Sequence, residues 1–375
     1  MKRYLHEQII KDLKKKMVFI TGPRQVGKTF LSKQIMNEYE HAQYLNFDDI
    51  NGRNIINHHN WKQNADLLVF DEIHKMKGWK NYLKGVYDTK NTEQSILVTG
   101  SARLDMIRKS GDSMAGRYLH LRLNPLSVKE ISDSGSAYSN LDKLNQLGPF
   151  PEPFLSGSEI EASRWRNQYF TNIIREDILD FSRINEIHTM KLLLQMLRER
   201  VGSPLSVNSL AEDLQVSPTT VQKYIQILEN LYIVFLIRPY HKLIYRSIKK
   251  SPKLYFYDTG YVKGDEGIKL ENTCAVNLIK HVQYLYDVKG TDIELNYIRT
   301  KEKKEIDFVI VKEGKPETFL EVKLSHFKQN SNLFYFSEKF PDTLKIQLVH
   351  NLRTEFDNKG IKFRKAGEWL KGLSA

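Results

Sequence analysis

The sequence predicts an α/β protein of several domains: a parallel sheet covered by helices, a helical middle that includes a winged helix, and a second α/β domain at the C-terminal end. Three observations predict it. Short apolar runs alternate with helix-compatible stretches up to Leu123, a two-helix pattern with a short turn occupies the middle, and acid-bearing apolar strands follow Leu270. At 375 residues the chain exceeds one ordinary core, and shifts in pattern divide it at 1–150, 151–255 and 256–375.

The first element is the apolar run Met17-Val-Phe-Ile20, which feeds directly into a glycine-bearing loop. Gly22, Pro23, Arg24, Gln25, Val26, Gly27, Lys28 and Thr29 fill every position of a phosphate-binding loop. The two glycines permit the tight turn that aims backbone N–H groups at phosphates, Lys28 reaches the β- and γ-phosphates, and the Thr29 hydroxyl ligates Mg²⁺. The loop therefore predicts a nucleoside triphosphate with Mg²⁺ as ligands.

Further β-type runs lie at 43–47, 67–70, 95–99 and 118–123. The third strand in chain order ends Leu67-Leu-Val-Phe-Asp71-Glu72, four apolar residues followed by two acids. Asp71 is placed to hold Mg²⁺ at the carboxyl end of the strand, and Glu72 to orient and deprotonate the attacking water. The next strand runs into Thr99-Gly-Ser101-Ala-Arg103, where a polar side chain contacts the γ-phosphate or the water. Ser101 is the first choice and Thr99 the second. Arg103 and Arg117 are candidates for an arginine supplied to a neighbouring subunit of a homo-oligomer, although a surface salt bridge serves either residue equally well.

Taken together, residues 21–29, the strand ending Phe70-Asp-Glu-Ile-His74, Thr99-Gly-Ser101, and Gly116-Arg-Tyr with Leu123-Asn-Pro-Leu-Ser127 resemble the AAA-type P-loop ATPases of bacteria and archaea that carry a C-terminal domain of once-unknown function. The resemblance spans nearly the whole chain. It implies an ATPase core of the additional-strand, catalytic-glutamate type, in keeping with the strand found between the loop and Asp71.

After Pro149-Phe-Pro-Glu-Pro153, a break rich in proline, helix-compatible sequence runs from 158 to 200. Leu210 and Leu214, then Val221, Ile225 and Leu228, place apolar stripes on two helices, with Ser217 as a cap and Pro218 at the tolerated first position. A strand at 231–237 completes the pattern of a winged helix, a module that contacts either DNA or protein. Its second helix offers Lys223 beside Thr219, Thr220 and Gln222.

In the last third, a helical period at 270–279 carries Glu271 in its expected first turn, and strands are expected at 296–299, 306–311 and 318–323. Alternation by two sets Glu321 and Lys323 on one strand face, and an antiparallel neighbour brings Asp307 beside them. Asp307 and Glu321 are predicted to hold a divalent metal while Lys323 positions water and balances charge at a phosphodiester. Glu271, Asp307 and Glu321-Val-Lys323 resemble the active site of the restriction-endonuclease-like PD-(D/E)XK fold, with Ile306 in place of its proline. The competing reading keeps the fold with acids that only cap or form salt bridges.

The net charge of +12 favours a polyanionic partner, DNA ahead of RNA. Lys242, Arg246, Lys249, Lys250 and Lys253 form one basic run, and Arg299, Lys301, Lys303 and Lys304 a second. Both are placed to track a phosphate backbone, with a solvated loop as the alternative. No G-x-S-x-G or H-E-x-x-H pattern occurs, and Cys274 is the only cysteine, which removes disulfide frameworks and multi-cysteine zinc sites. No stretch approaches the roughly 18 apolar residues of a membrane span, and the charged start Met-Lys-Arg-Tyr is no secretory signal, so the cytoplasm is the expected compartment.

Overall fold

The computed structural model describes residues 1–100, 114–173, 184–241, 251–325 and 331–375. They form two compact units, one of Met1–Asn124 with Asn230–Tyr232 and one of Pro125–Glu229 with Ile233–Ala375. Ser101, Arg103, Lys242, Arg246, Lys249 and Lys250 lie outside the described residues.

The first unit alternates helix and strand: α1 (His6–Leu13), β1 (Met17–Thr21), α2 (Lys28–Met36), β2 (Ala42–Asn46), α3 (Ile50–His58), β3 (Leu67–Asp71), α4 (Trp79–Thr89), β4 (Ser95–Thr99) and β5 (Tyr118–Arg122). Its sheet runs β2-β3-β4-β1-β5 with every pairing parallel. Each residue of β1, β3 and β4 is buried, which is why these strands read as unbroken apolar runs rather than as alternation. The strand after the loop in sequence, β2, lies at the edge of the sheet, and β4 takes the place between β1 and β3. Parallel strands are joined by crossovers, so neighbours in sequence need not be neighbours in the sheet.

The second unit begins with helices α5 (Ala137–Leu147), α6 (Pro151–Ser156), α7 (Glu159–Ile173), α8 (Ile184–Leu197), α9 (Val207–Leu214) and α10 (Pro218–Asn230). The proline-bearing stretch expected as a break is helix α6, with Pro151 opening it where the missing N–H costs nothing. Ser206 caps α9, and Ser217 Oγ accepts from Thr220 N at 3.1 Å at the start of α10.

There follow β6 (Val234–Pro239), β7 (Lys253–Phe256), α11 (Glu266–Lys289), β8 (Ile293–Arg299), β9 (Glu305–Lys312), β10 (Lys315–Lys323), α12 (Ser331–Lys339), β11 (Leu344–Val349), β12 (Phe356–Asn358), β13 (Ile361–Lys365) and α13 (Ala366–Lys371). One mixed sheet holds all eight strands in the order β12-β13-β11-β10-β9-β8-β6-β7. The hairpin strand β6 pairs with β7 on one side and β8 on the other, so the strands after the two-helix pattern are continuous with the C-terminal sheet. Val309, Phe319, Val349 and Phe363 form its core with Leu333 and Phe336 of α12. Among the described residues no helix is long and apolar enough to cross a membrane.

Candidate functional site

In the first unit the loop leaves β1 with three positive backbone angles, φ 144° at Gly22, 57° at Gln25 and 96° at Gly27. A side chain at Gly22 would run into the carbonyl of Leu123, which closes β5 against the loop. Only glycine permits this approach. Gly27 begins α2 without any side-chain cap, leaving the N–H groups of its first turn to face the loop. Lys28 Nζ donates to the carbonyls of Gly22 at 3.0 Å and Pro23 at 2.5 Å, so its ammonium lies across the loop.

Asp71 ends β3 under four donors. Thr29 Oγ1 reaches its Oδ2 at 3.1 Å, Tyr44 donates to the same oxygen, and Thr99 Oγ1 and Glu72 N donate to Oδ1 at 2.6 and 3.1 Å. Thr99, the second choice as γ-phosphate contact, is thus bound to Asp71. Glu72 takes a left-handed conformation, φ 55°, a cost that active sites often carry for a residue they must aim. Burial, then the charge of Asp71, raises its pKa from the ordinary value, with Lys75 and Lys28 opposing. Its Oε2 lies 3.6 Å from His74 Nε2 and 3.7 Å from Lys75 Nζ. Arg117, a candidate for a transferred arginine, forms a salt bridge with Asp88 at 2.8 Å.

Two residues at this site escaped the sequence reading. Arg3 is buried and donates to the carbonyls of Val26 at 2.5 Å and Asn124 at 2.6 Å, tying the N-terminal segment to the loop and to the chain after β5. Tyr44 carries no motif signal; only the register of β2 against β3, Tyr44 opposite Val69, brings it to Asp71.

Residues 14–132 match a family model described as an AAA domain. Together with the loop, Asp71 and the sheet order, this makes the first unit a P-loop ATPase domain. Residues 139–266 and 266–365 match two models described as domains of unknown function, DUF8612 and DUF4143. An uncharacterized protein of Mycobacterium tuberculosis is 25% identical over 310 residues, covering 81% of this chain and 69% of its own. An uncharacterized protein of Haemophilus influenzae is 25% identical over 389 residues, covering 94% and 93%. Among solved structures, the Walker-type ATPase of Pyrococcus abyssi aligns with TM-score 0.45 at 11% identity, over 70% of this chain and 94% of that one. RuvB of Thermotoga maritima aligns with TM-score 0.29 at 15% identity, over 62% and 88%.

Outside the AAA domain, the second unit gathers its own charged cluster. Glu271 sits in the second turn of α11 rather than the first, because the helix starts at Glu266. Asn272 fixes that helix to β7: its side chain accepts from Phe256 N and donates to Phe256 O, both at 2.9 Å. Glu271 consequently lies over β7, where Tyr255 donates to it at 2.7 Å and Lys253 Nζ approaches to 3.6 Å. Gly202 leaves room for this carboxylate, since a Cβ there would stand 2.9 Å from its oxygen.

Lys253 is 1% exposed. Its Nζ also lies 2.6 Å from Glu305 and 3.7 Å from Asp307. This corrects one expectation, because Lys253 is the internal counter-ion of three acids and not a surface cation for phosphate. Burial opposes its charge, but Asp307, Glu271 and Glu305 outweigh that cost and raise its pKa. Arg299 of the second basic run likewise pairs with Glu305 at 2.9 Å.

The antiparallel pairing of β9 with β10 brings Asp307 to Glu321, with Asp307 Oδ2 accepting from Val322 N at 3.0 Å. Lys323 donates to Glu321 Oε1 at 2.8 Å, while Glu321 Oε2 is buried without a hydrogen-bond partner among the described residues. No three of His, Cys, Asp or Glu among those residues form a metal cage. The available oxygens are those of the Asp307 and Glu321 pair. Hard carboxylate oxygens, one of them orphaned, fit Mg²⁺ completed by water. Cys274 is fully buried and burial raises its thiol pKa, as suits a small core side chain.

Burial, then Asp307, pushes Glu321 up to about 8 and Glu271 up to about 7, from an ordinary 4.5. A carboxyl that holds its proton longer in the folded state lowers stability as pH rises, here from about 4.5 through about 8. Glu321→Gln, neutral throughout, is expected to melt above the wild type at about pH 9, with the advantage vanishing near pH 5. Lys323, 44% exposed, turns to solvent in the variant. Melting curves at both pH values check this, and an equal difference at both removes Glu321 as the source.

Proposed function

We propose that this protein is an ATP-hydrolysing, DNA-associated ATPase whose C-terminal part is a Mg²⁺-dependent nuclease-like domain. The observation that carries the ATPase reading is the meeting of Thr29 Oγ1 and Asp71 Oδ2 at 3.1 Å, with Glu72 next in sequence. Gly22 to Thr29 bind the phosphates, Lys28 leaves the loop carbonyls for the β- and γ-phosphates, Thr29 and Asp71 hold the metal, and Glu72 takes the proton of the attacking water. Mg²⁺, when bound, neutralises charge on the phosphate oxygens. Ser101 remains the proposed γ-phosphate contact.

In the nuclease-like domain Asp307 and Glu321 are the metal residues, Lys323 balances charge at the phosphodiester, and Glu271 completes the acidic wall. The orphaned Oε2 of Glu321 supports this assignment. The proposed division is an ATPase domain (1–150), a helical adaptor with winged helix (151–255) and a nuclease-like domain (256–375), the last two sharing the sheet through β6 and β7. The winged helix, with Lys223 on its second helix, is the proposed DNA contact, and the +12 charge favours such a partner.

Purified protein with Mg²⁺ or Mn²⁺ is expected to nick plasmid, single-stranded or branched DNA. Asp307→Ala and Glu321→Ala should abolish nicking and leave ATP hydrolysis intact; equal cleavage by all three proteins would assign it to a contaminant. A second reading, a nucleotide-driven interaction switch with a silent nuclease scaffold, draws support from Lys253, whose ammonium already sits within ion-pair distance of Glu271, Glu305 and Asp307. Under that reading the wild type nicks no DNA at all.

A further inference from the structure

The row of side chains that carries Asp307 and Glu321 continues onto β11. Gln347 is the Cα partner of Glu321 in the parallel pairing of β10 with β11, so both side chains leave the same face of the sheet. One step beyond the pair Leu320 and Phe308, Asp307 takes the matching place on the other side of Glu321. Three adjacent strands thus present an acid, an acid and an amide side by side.

Gln347 is 1% exposed, yet neither its amide nitrogen nor its amide oxygen has a hydrogen-bond partner among the described residues. Glu321 Oε2 beside it is in the same condition. Burial strips such groups of water without compensation, and in native proteins they are rare and mark strain, catalysis or an ordered ligand. Neighbouring Val349 and Phe363 show that this region of the sheet accepts apolar side chains. Leucine would fit the position at no polar cost, so packing alone gives no reason for an amide.

We propose that Gln347 is a positioning residue of the carboxylate site, its amide serving the water shell of a divalent cation held by Asp307 and Glu321. Outer partners of metal ligands orient both the ligand and its water, and their loss weakens metal binding without removing a ligand. The inference rests on the metal-dependent reading of the second unit.

The test uses the full chain, titrated calorimetrically with Mn²⁺ alone and melted in the absence of metal. Glu321→Ala identifies the heat that belongs to this site. Gln347→Leu removes both amide atoms at similar volume. It is expected to melt about 2–4 °C above the wild type, because an uncompensated polar group is gone, and to bind Mn²⁺ about 10–100-fold more weakly. A purely structural amide predicts the opposite melting shift, so a lower Tm in Gln347→Leu overturns the proposal. Unchanged Mn²⁺ affinity overturns it too, as does a wild type with no Mn²⁺ heat that Glu321→Ala removes. Mn²⁺ binding that depends on Gln347 in a protein that nicks no DNA keeps this inference and sinks the nuclease reading.

Discussion

Glu72→Gln is expected to leave ATP bound while slowing its hydrolysis by about 10²–10⁴-fold, the usual contribution of a positioned base. The substitution keeps the size of the side chain and removes only its ability to accept a full proton. Glu72 is suited to that role because burial and the adjacent Asp71 raise its pKa, which strengthens it as a proton acceptor. The bonds that hold Asp71 come from Thr29, Tyr44, Thr99 and the Glu72 backbone, and none uses the Glu72 side chain. ATP affinity and phosphate release, measured on the same preparation, separate binding from chemistry. Wild-type turnover in the variant would remove Glu72 from the proposed role.

The other large effect is expected from Lys253→Met. Methionine fills much of the same volume but leaves Glu271, Glu305 and Asp307 without the ammonium that lies 2.6–3.7 Å from them. Breaking a buried ion pair from one side costs about 3–5 kcal/mol, because the remaining charge stays desolvated. At about 2–4 °C per kcal/mol for a unit of this size, the melting transition should fall by roughly 10 °C. Adding Glu271→Gln to the variant should recover part of that loss, because it removes a carboxylate left without a cation while Glu305 keeps Arg299. A melting temperature within a degree or so of wild type would show that the cluster rearranges around water at little cost.

Lys253 also shows where the sequence misleads. Placed among Arg246, Lys249 and Lys250, it looks like one more member of a solvent-facing basic run. Nothing local marks it as buried, because its three carboxylates come from α11 and β9, between 18 and 54 residues away. The only local hint is alternation: Lys253 and Tyr255 share one face of β7, and Glu305 and Asp307 one face of β9. Gln347 leaves no trace at all, since an amide in an apolar strand gains meaning only from the residue paired with it. Arg3 and Tyr44 are silent for the same reason, their partners being on other strands and loops.

The phosphate-binding loop, the acids that end β3 and the Glu-x-Lys spacing of β10 were readable because each is set by backbone geometry over a few residues. A glycine at φ 144°, an acid at a strand terminus and a two-residue alternation carry their consequences wherever the chain goes. The sequence by itself therefore determined an α/β chain with a P-loop ATPase domain, the place of Asp71 at the end of β3, and the shared face of Glu321 and Lys323 on β10. Only the tertiary structure decided that β4 separates β1 from β3, that Lys253 lies buried among three acids, and that Glu321 and Gln347 carry buried polar atoms without a hydrogen-bond partner among the described residues. Strand order, burial and charge neutralisation depend on groups distant in sequence, and their energies are set by the environment they create together.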